Sequence, residues 1–127
     1  MEADRRYKDD VIPESHVGFF AVEGEGIHAV LWSFEEDVLC NCTKRDDPVY
    51  TDSCLEVFLM PVENDKRYIN FEVNRNGVYL SEIGTCRADR VFISTLTDIE
   101  PTIETMEITE NGKNKRDFMD KCLIFCR

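Results

Sequence analysis

Tyr68-Ile69-Asn70-Phe71-Glu72-Val73-Asn74-Arg75-Asn76-Gly77-Val78-Tyr79-Leu80-Ser81-Glu82 is the stretch whose pattern decides the fold. Ile69, Phe71 and Val73 alternate with Tyr68, Asn70, Glu72 and Asn74, the period of two that sends successive side chains to opposite faces of a strand. Arg75-Asn76-Gly77 follows at once, with Asn-Gly at its heart. Val78 to Glu82 is therefore expected to fold back as an antiparallel partner. The hairpin has one oily face and one polar face.

On the N-terminal side, Asp52-Ser53-Cys54-Leu55-Glu56-Val57-Phe58-Leu59-Met60 is rich in strand formers and is stopped by Pro61. Lys44-Arg45-Asp46-Asp47-Pro48 reads as a loop from its charge and its proline, with a short third strand expected before it over Val38 to Thr43. His16 to Val22 and Ile27 to Phe34 are apolar and aromatic stretches joined by Glu23-Gly24-Glu25-Gly26, a hairpin signal. In the second of them His28, Val30, Trp32 and Phe34 oppose Ile27, Ala29 and Leu31. Both faces are largely apolar, as in a strand inside a sandwich. On the C-terminal side, Cys86 to Arg90 reads as a loop. Alternation from Thr102 to Thr109 suggests one more strand, 111–116 is turn-like, and Phe118 to Cys126 is a short apolar ending of ambiguous structure. No stretch carries long helical periodicity. The expected fold is all-β, an antiparallel β-sandwich of immunoglobulin-like or jelly-roll-like type. Residues 1–13 are expected to form a mobile arm and 14–127 a single domain.

A chain of 127 residues with 43% hydrophobic side chains suffices for one packed core. Its net charge of -11 disfavours nucleic acid and anionic membranes as partners. Carboxylates in this number can hold a divalent cation, although solubility accounts for them more simply. The first ten residues are charged and lack the apolar centre of a secretory signal, and no run is long enough to cross a bilayer. Cys40, Cys42, Cys54, Cys86, Cys122 and Cys126 show neither zinc-finger spacing nor C-x-x-C. Cys40, Cys42 and Cys54 read as small buried hydrophobes. Unpaired thiols without a signal lean towards a cytoplasmic setting.

Asn70, Glu72 and Asn74 project to one side of their strand and offer regularly spaced donors and acceptors. Sugar hydroxyls need such groups together with an aromatic ring to lie against, and Tyr50, Tyr68, Tyr79 and Trp32 are the available rings. The same row is also what any half-exposed strand presents to water. Glu56 shares a mainly apolar face with Cys54 and Phe58, and Asp52 is one step further along. A carboxylate there is either in a structural ion pair or in a ligand site, with Arg87 or Arg90 as the partner charge. With only His16 and His28, and no nucleophile motif or phosphate loop, no catalytic residue is assigned. Glu56 and Glu72 as a glycosidase pair would need a defined separation across a scissile bond.

Pro48-Val49-Tyr50-Thr51-Asp52-Ser53-Cys54-Leu55-Glu56-Val57-Phe58, then Tyr68 to Asn74, then Gly77, Gly84, Arg87 and Arg90, resemble carbohydrate-binding module family 9-like domains. The resemblance spans roughly residues 16–110 and is most specific over 48–90. It implies a sandwich that binds a mono- or oligosaccharide without catalysis and accompanies polysaccharide-degrading enzymes. In it Tyr50 takes the place of a ring that grips the sugar, Glu56 that of a glutamate bonding its hydroxyls, and Glu72 and Asn74 that of a polar strand. Arg87 joins them as a ligand-binding candidate. The family tends to have tryptophan at the position of Tyr50 and arginine at that of Glu72. No cofactor is implied beyond the structural calcium seen in relatives, whose ligands cannot be placed here. Relatives continue after residue 110 into further strands, so C-terminal strands are expected to be missing through truncation or an altered frame near residue 113. Open strand edges would then favour a homodimer, or a structural or protein-interaction role for a sandwich that has lost its sugar site.

Overall fold

The computed structural model describes residues 14–35 and 37–106, and the backbone of 117–124. The hairpin at the centre of the sequence forms as expected: β4 (Tyr68–Asn74) pairs antiparallel with β5 (Tyr79–Gly84). Gly77, at φ 76°, takes the left-handed conformation that closes the turn, and its N–H donates to the Asn74 carbonyl at 3.0 Å. β3 (Cys54–Leu59) lies on the other side of β4. A two-residue strand, β6 (Val91–Phe92), adds to β5 and completes a sheet in the order β3-β4-β5-β6.

The opposing sheet has the order β1-β2-β8-β7. β1 (Ser15–Val22) and β2 (Gly26–Phe34) are the expected N-terminal hairpin. β7 (Thr102–Met106) is the strand foreseen from its alternation. Its expected extension to Thr109 lies outside the described residues, as does the expected arm over 1–13. The ambiguous apolar ending forms β8 (Asp117–Ile124), inserted antiparallel between β2 and β7.

Between the sheets lies the core. Ala29 and Leu31 of β2 pack against Leu55 and Val57 of β3, Phe71 and Val73 of β4, and Tyr79 of β5. Phe71 and Tyr79 stack with ring centres 5.5 Å apart. Truncating Phe71 to alanine here would cost roughly 3–5 kcal/mol by cavity formation. The all-β, antiparallel two-sheet expectation is met.

One expected strand does not form. Residues 38–43 form no strand and join no sheet. Their hydrogen bonds go sideways instead: Ser53 N–H donates to the Leu39 carbonyl at 2.8 Å, and the N–H groups of Asn41 and Cys42 are captured by the Asp52 carboxylate. The result is a loop over 38–53, including a 3-10 turn at Val49–Thr51, folded onto the outer face of the β3-β4-β5 sheet. Val49 and Cys42 pack there against Leu80, with Cys54 and Val78 at the margin.

Candidate functional site

Strand register assembles the outer face of the second sheet. Directly opposed residues of an antiparallel pair point to the same side, so Glu56, Glu72 and Leu80 form one row across β3, β4 and β5. Phe58, Asn70, Glu82 and Phe92 form the next. Cys54 and Asn74 lie in the row before, under the 38–53 loop. The alternation visible in the sequence therefore places Glu56, Glu72 and Asn74 on one surface.

Burial then separates them. Asn70, Glu72 and Asn74 retain 0%, 5% and 0% of their accessible surface, so the polar side of β4 is not a solvated face. Asn74 is consumed by structure. Its amide nitrogen donates to the Cys42 carbonyl at 3.2 Å and to Asp52 Oδ2 at 3.0 Å, while its oxygen accepts from the N–H groups of Asn76 and Val78 at 3.0 and 3.1 Å. An amide has four bonds of this kind to offer, and all four are made. The expectation of Asn74 as a sugar ligand is thereby corrected: it ties the hairpin turn to the 38–53 loop.

Asp52 is the other half of that tie. Burial pushes its carboxyl up, but the Asn41 N–H, the Asn74 amide and the Cys42 N–H together outweigh burial and hold it below its ordinary value. The Cys42 thiol beside it is pushed up by burial and by the Asp52 charge. Cys40, Cys42, Cys54 and Cys86 carry no disulfide, and the side chains of Cys122 and Cys126 lie outside the described residues.

Glu56 is exposed and Glu72, directly across from it, is buried. Among the described residues Glu72 Oε2 has no hydrogen-bond partner. Burial, then the Glu56 charge, pushes the Glu72 carboxyl above its ordinary value; Arg90 opposes, Glu82 adds, and the Asn70 amide opposes. Asn70 lies near enough to favour the charged form of Glu72, yet neither its Nδ2 nor its Oδ1 makes an aligned hydrogen bond.

Arg90 is the cation of this face. Its Nε stands 3.4 Å from Glu82 Oε2, and its stem crosses Gly84 so closely that a Cβ there would lie 2.8 Å from Arg90 Cα and 2.9 Å from Arg90 Cγ. Asp89 caps the preceding turn, accepting from the N–H groups of Thr85 and Cys86 at 2.8 and 2.9 Å, which fixes the approach of Arg90. Arg87 is placed differently. It lies on the exposed turn itself and makes no hydrogen bond or ion pair among the described residues. Of the two arginines weighed as partner charge, the structure brings Arg90 to the carboxylates and leaves Arg87 aside.

Aromatic rings flank the polar rows. Tyr50 is 54% exposed on the 3-10 turn that packs against β3 and β4. Beyond the carboxylates, Phe58 is 56% exposed and touches Tyr68, ring centres 5.7 Å apart and tilted by 54°. Phe92 closes the same row from β6. Phe58 was legible in the sequence as a face-mate of Glu56, whereas Phe92 carried no signal because a two-residue strand has no period to read. Tyr79 and Trp32 are excluded from this face: Tyr79 is in the core, and Trp32 is on β2 of the other sheet, stacked on His16 at 4.8 Å. Among the described residues no group of three or more His, Cys, Asp or Glu is placed to hold a metal ion, and no helix is long and apolar enough to cross a membrane.

The sequence matches the family described as carbohydrate-binding family 9 over residues 8–122. No curated protein matches it. Among solved structures, a candidate carbohydrate-binding protein from Bacteroides uniformis is similar at a TM-score of 0.62 and 22% identity, over 87% of this chain and 52% of that one. The chain spans about half the length of that structure, and at this identity the likeness concerns the fold alone. The match over residues 8–122 takes in β3 with Asp52 before it, β4 (Tyr68–Asn74) and the Arg90 turn: the chain belongs to carbohydrate-binding family 9.

Proposed function

We propose that this domain binds a saccharide without catalysis, on the outer face of the β3-β4-β5-β6 sheet, as a module accompanying polysaccharide breakdown. The observation that carries the reading is the exposed Glu56 carboxylate one row from the exposed Phe58, which touches Tyr68, with Tyr50 exposed on the 3-10 turn that packs against β3 and β4. Rings supply apolar area for a pyranose face and the carboxylate accepts from its hydroxyls. Family membership supports the same assignment. The bland alternative for Glu56, a structural ion pair, is weakened because Arg90 is directed to Glu82.

Glu56 and Glu72 are poorly arranged for glycoside hydrolysis. Glu72 is buried and only Glu56 is exposed, whereas both acids of a hydrolase must reach the scissile bond. Calorimetric titration with glucose, cellobiose and xylo-oligosaccharides is the direct test. Binding that Tyr50→Ala and Glu56→Gln each weaken about ten-fold or more is the expected result, and silence across a broad glycan panel overturns it.

A second reading, self-association through an open strand edge, is favoured by β1. Among the described residues it is an edge strand paired with β2, and Val17, Phe19 and Phe20 are 50%, 46% and 47% exposed. Light scattering across a concentration series distinguishes a dimer from a monomer. A dimer that Phe19→Lys dissociates is the expected outcome on this reading.

A further inference from the structure

The Glu56–Glu72 pair has the wrong electrostatics for a purely structural element. Like charges directly opposite each other in an antiparallel pair are destabilising. Here one of the two is buried, with an oxygen that has no hydrogen-bond partner among the described residues. Glu82 adds a third carboxylate in the next row, while among the described residues the guanidinium that meets these carboxylates is that of Arg90, which is paired with Glu82. The Asn70 amide beside them is fully buried with both polar atoms unpartnered. Such groups are rare in folded proteins and call for a physical reason.

We infer that this face is specific for a cationic saccharide, a sugar bearing a protonated amine, whose ammonium is held by Glu56 above the buried Glu72. The inference rests on the saccharide reading given above. A neutral sugar supplies hydrogen-bond donors to Glu56 but leaves the repulsion between the two carboxylates in place. An ammonium does both: it donates up to three hydrogen bonds and neutralises the local excess of negative charge. An acidic sugar adds to that excess and is rejected. Glu72 needs no direct contact for this, because a buried charge is poorly screened and its field acts through the short distance to the exposed carboxylate above it.

The experiment is calorimetry on the full chain with glucosamine, N-acetylglucosamine, glucose and glucuronate, below the pKa of the free amine and at low salt. Glucosamine is expected to bind about ten-fold tighter than glucose, equivalent to about 1.4 kcal/mol, with N-acetylglucosamine at the level of glucose and glucuronate weakest. Raising the salt concentration should erode the preference for the amine and leave the glucose constant nearly unchanged. Glu56→Gln, a substitution at an exposed position whose fold is checked by a thermal midpoint that does not fall, should bring the glucosamine-to-glucose ratio close to one. Equal binding of glucose and glucosamine overturns the cationic specificity and leaves saccharide binding standing. Binding of methylamine as tight as glucosamine overturns it too, because the site would then select an amine and not a sugar. No binding of any of the four sugars removes both readings together.

Discussion

Replacing Asn74 with alanine tests the claim that the 38–53 loop is held on the sheet by one amide. The substitution removes four hydrogen bonds: two donated, to the Cys42 carbonyl and Asp52 Oδ2, and two accepted, from Asn76 and Val78. A net contribution of about 1 kcal/mol each is typical, with more for the bond to a charged carboxylate. Asn76 is exposed, so its N–H recovers a bond to water and its share is small. The Cys42 carbonyl and the Asp52 carboxylate are in the interior, and Asp52 keeps the Asn41 and Cys42 N–H groups and the neighbouring Cys42 thiol. Summing the buried losses gives about 3–4 kcal/mol, a large part of the 5–15 kcal/mol expected for a whole domain. Urea unfolding followed by the fluorescence of Trp32 reads it as a lower midpoint with an unchanged slope. Asn74→Asp should be at least as damaging, because it sets a second carboxylate 3.0 Å from the first. A loss under 1 kcal/mol for Asn74→Ala would refute the assignment and return Asn74 to the list of groups free to meet a ligand.

Two further perturbations follow from the same face. Glu72→Gln is expected to stabilise the fold at neutral pH by about 1 kcal/mol, the scale of relieving one unsatisfied buried charged oxygen. The sign is set by linkage. The folded carboxyl titrates above its ordinary 4.5, so the parent chain holds its full stability below that pH and loses part of it as pH rises through the folded value. The glutamine advantage should therefore be absent in acid and grow towards neutrality; thermal midpoints taken from acid to neutral pH that show the opposite slope would contradict it. Gly84→Ala should destabilise by about 1–3 kcal/mol, because the added methyl meets the backbone of Arg90 at 2.8 Å, which cannot simply rotate away. Denaturant unfolding measures the loss, and no change would mean that the Arg90 turn is not packed as described.

Much of this architecture is written in local pattern. Alternation from Tyr68 to Asn74 and the Asn-Gly turn after it define a hairpin whatever surrounds them, since strand period and turn conformation depend only on neighbouring residues. The same pattern puts Glu56 with Phe58 on one face of their strand and Asn70, Glu72 and Asn74 on one face of theirs, and the register of β3 against β4 joins the two. Local pattern fails where hydrogen bonds are made at long range. Residues 38–43 have the composition of a strand but not its ladder, because Asp52, ten residues on, takes their N–H groups. The ending at Phe118 to Cys126 has no clear period, and the backbone partners β2 and β7 give it strand identity.

What the sequence alone determined is the all-β class, the central hairpin and the membership of its polar face, because each follows from period and turn chemistry. Which polar groups remain available on that face was decided only by tertiary structure. Asn74 and Glu72 occupy equivalent positions two residues apart, yet the folded-over loop exhausts every bond of the first, while the second is left with an unserved oxygen beneath an exposed partner. Arg87 and Arg90 are likewise three residues apart in one loop, and only the absence of a Cβ at Gly84 lets the second cross to the carboxylates. Burial and hydrogen-bond saturation are properties of what packs on top of a strand, and no reading along the chain contains them.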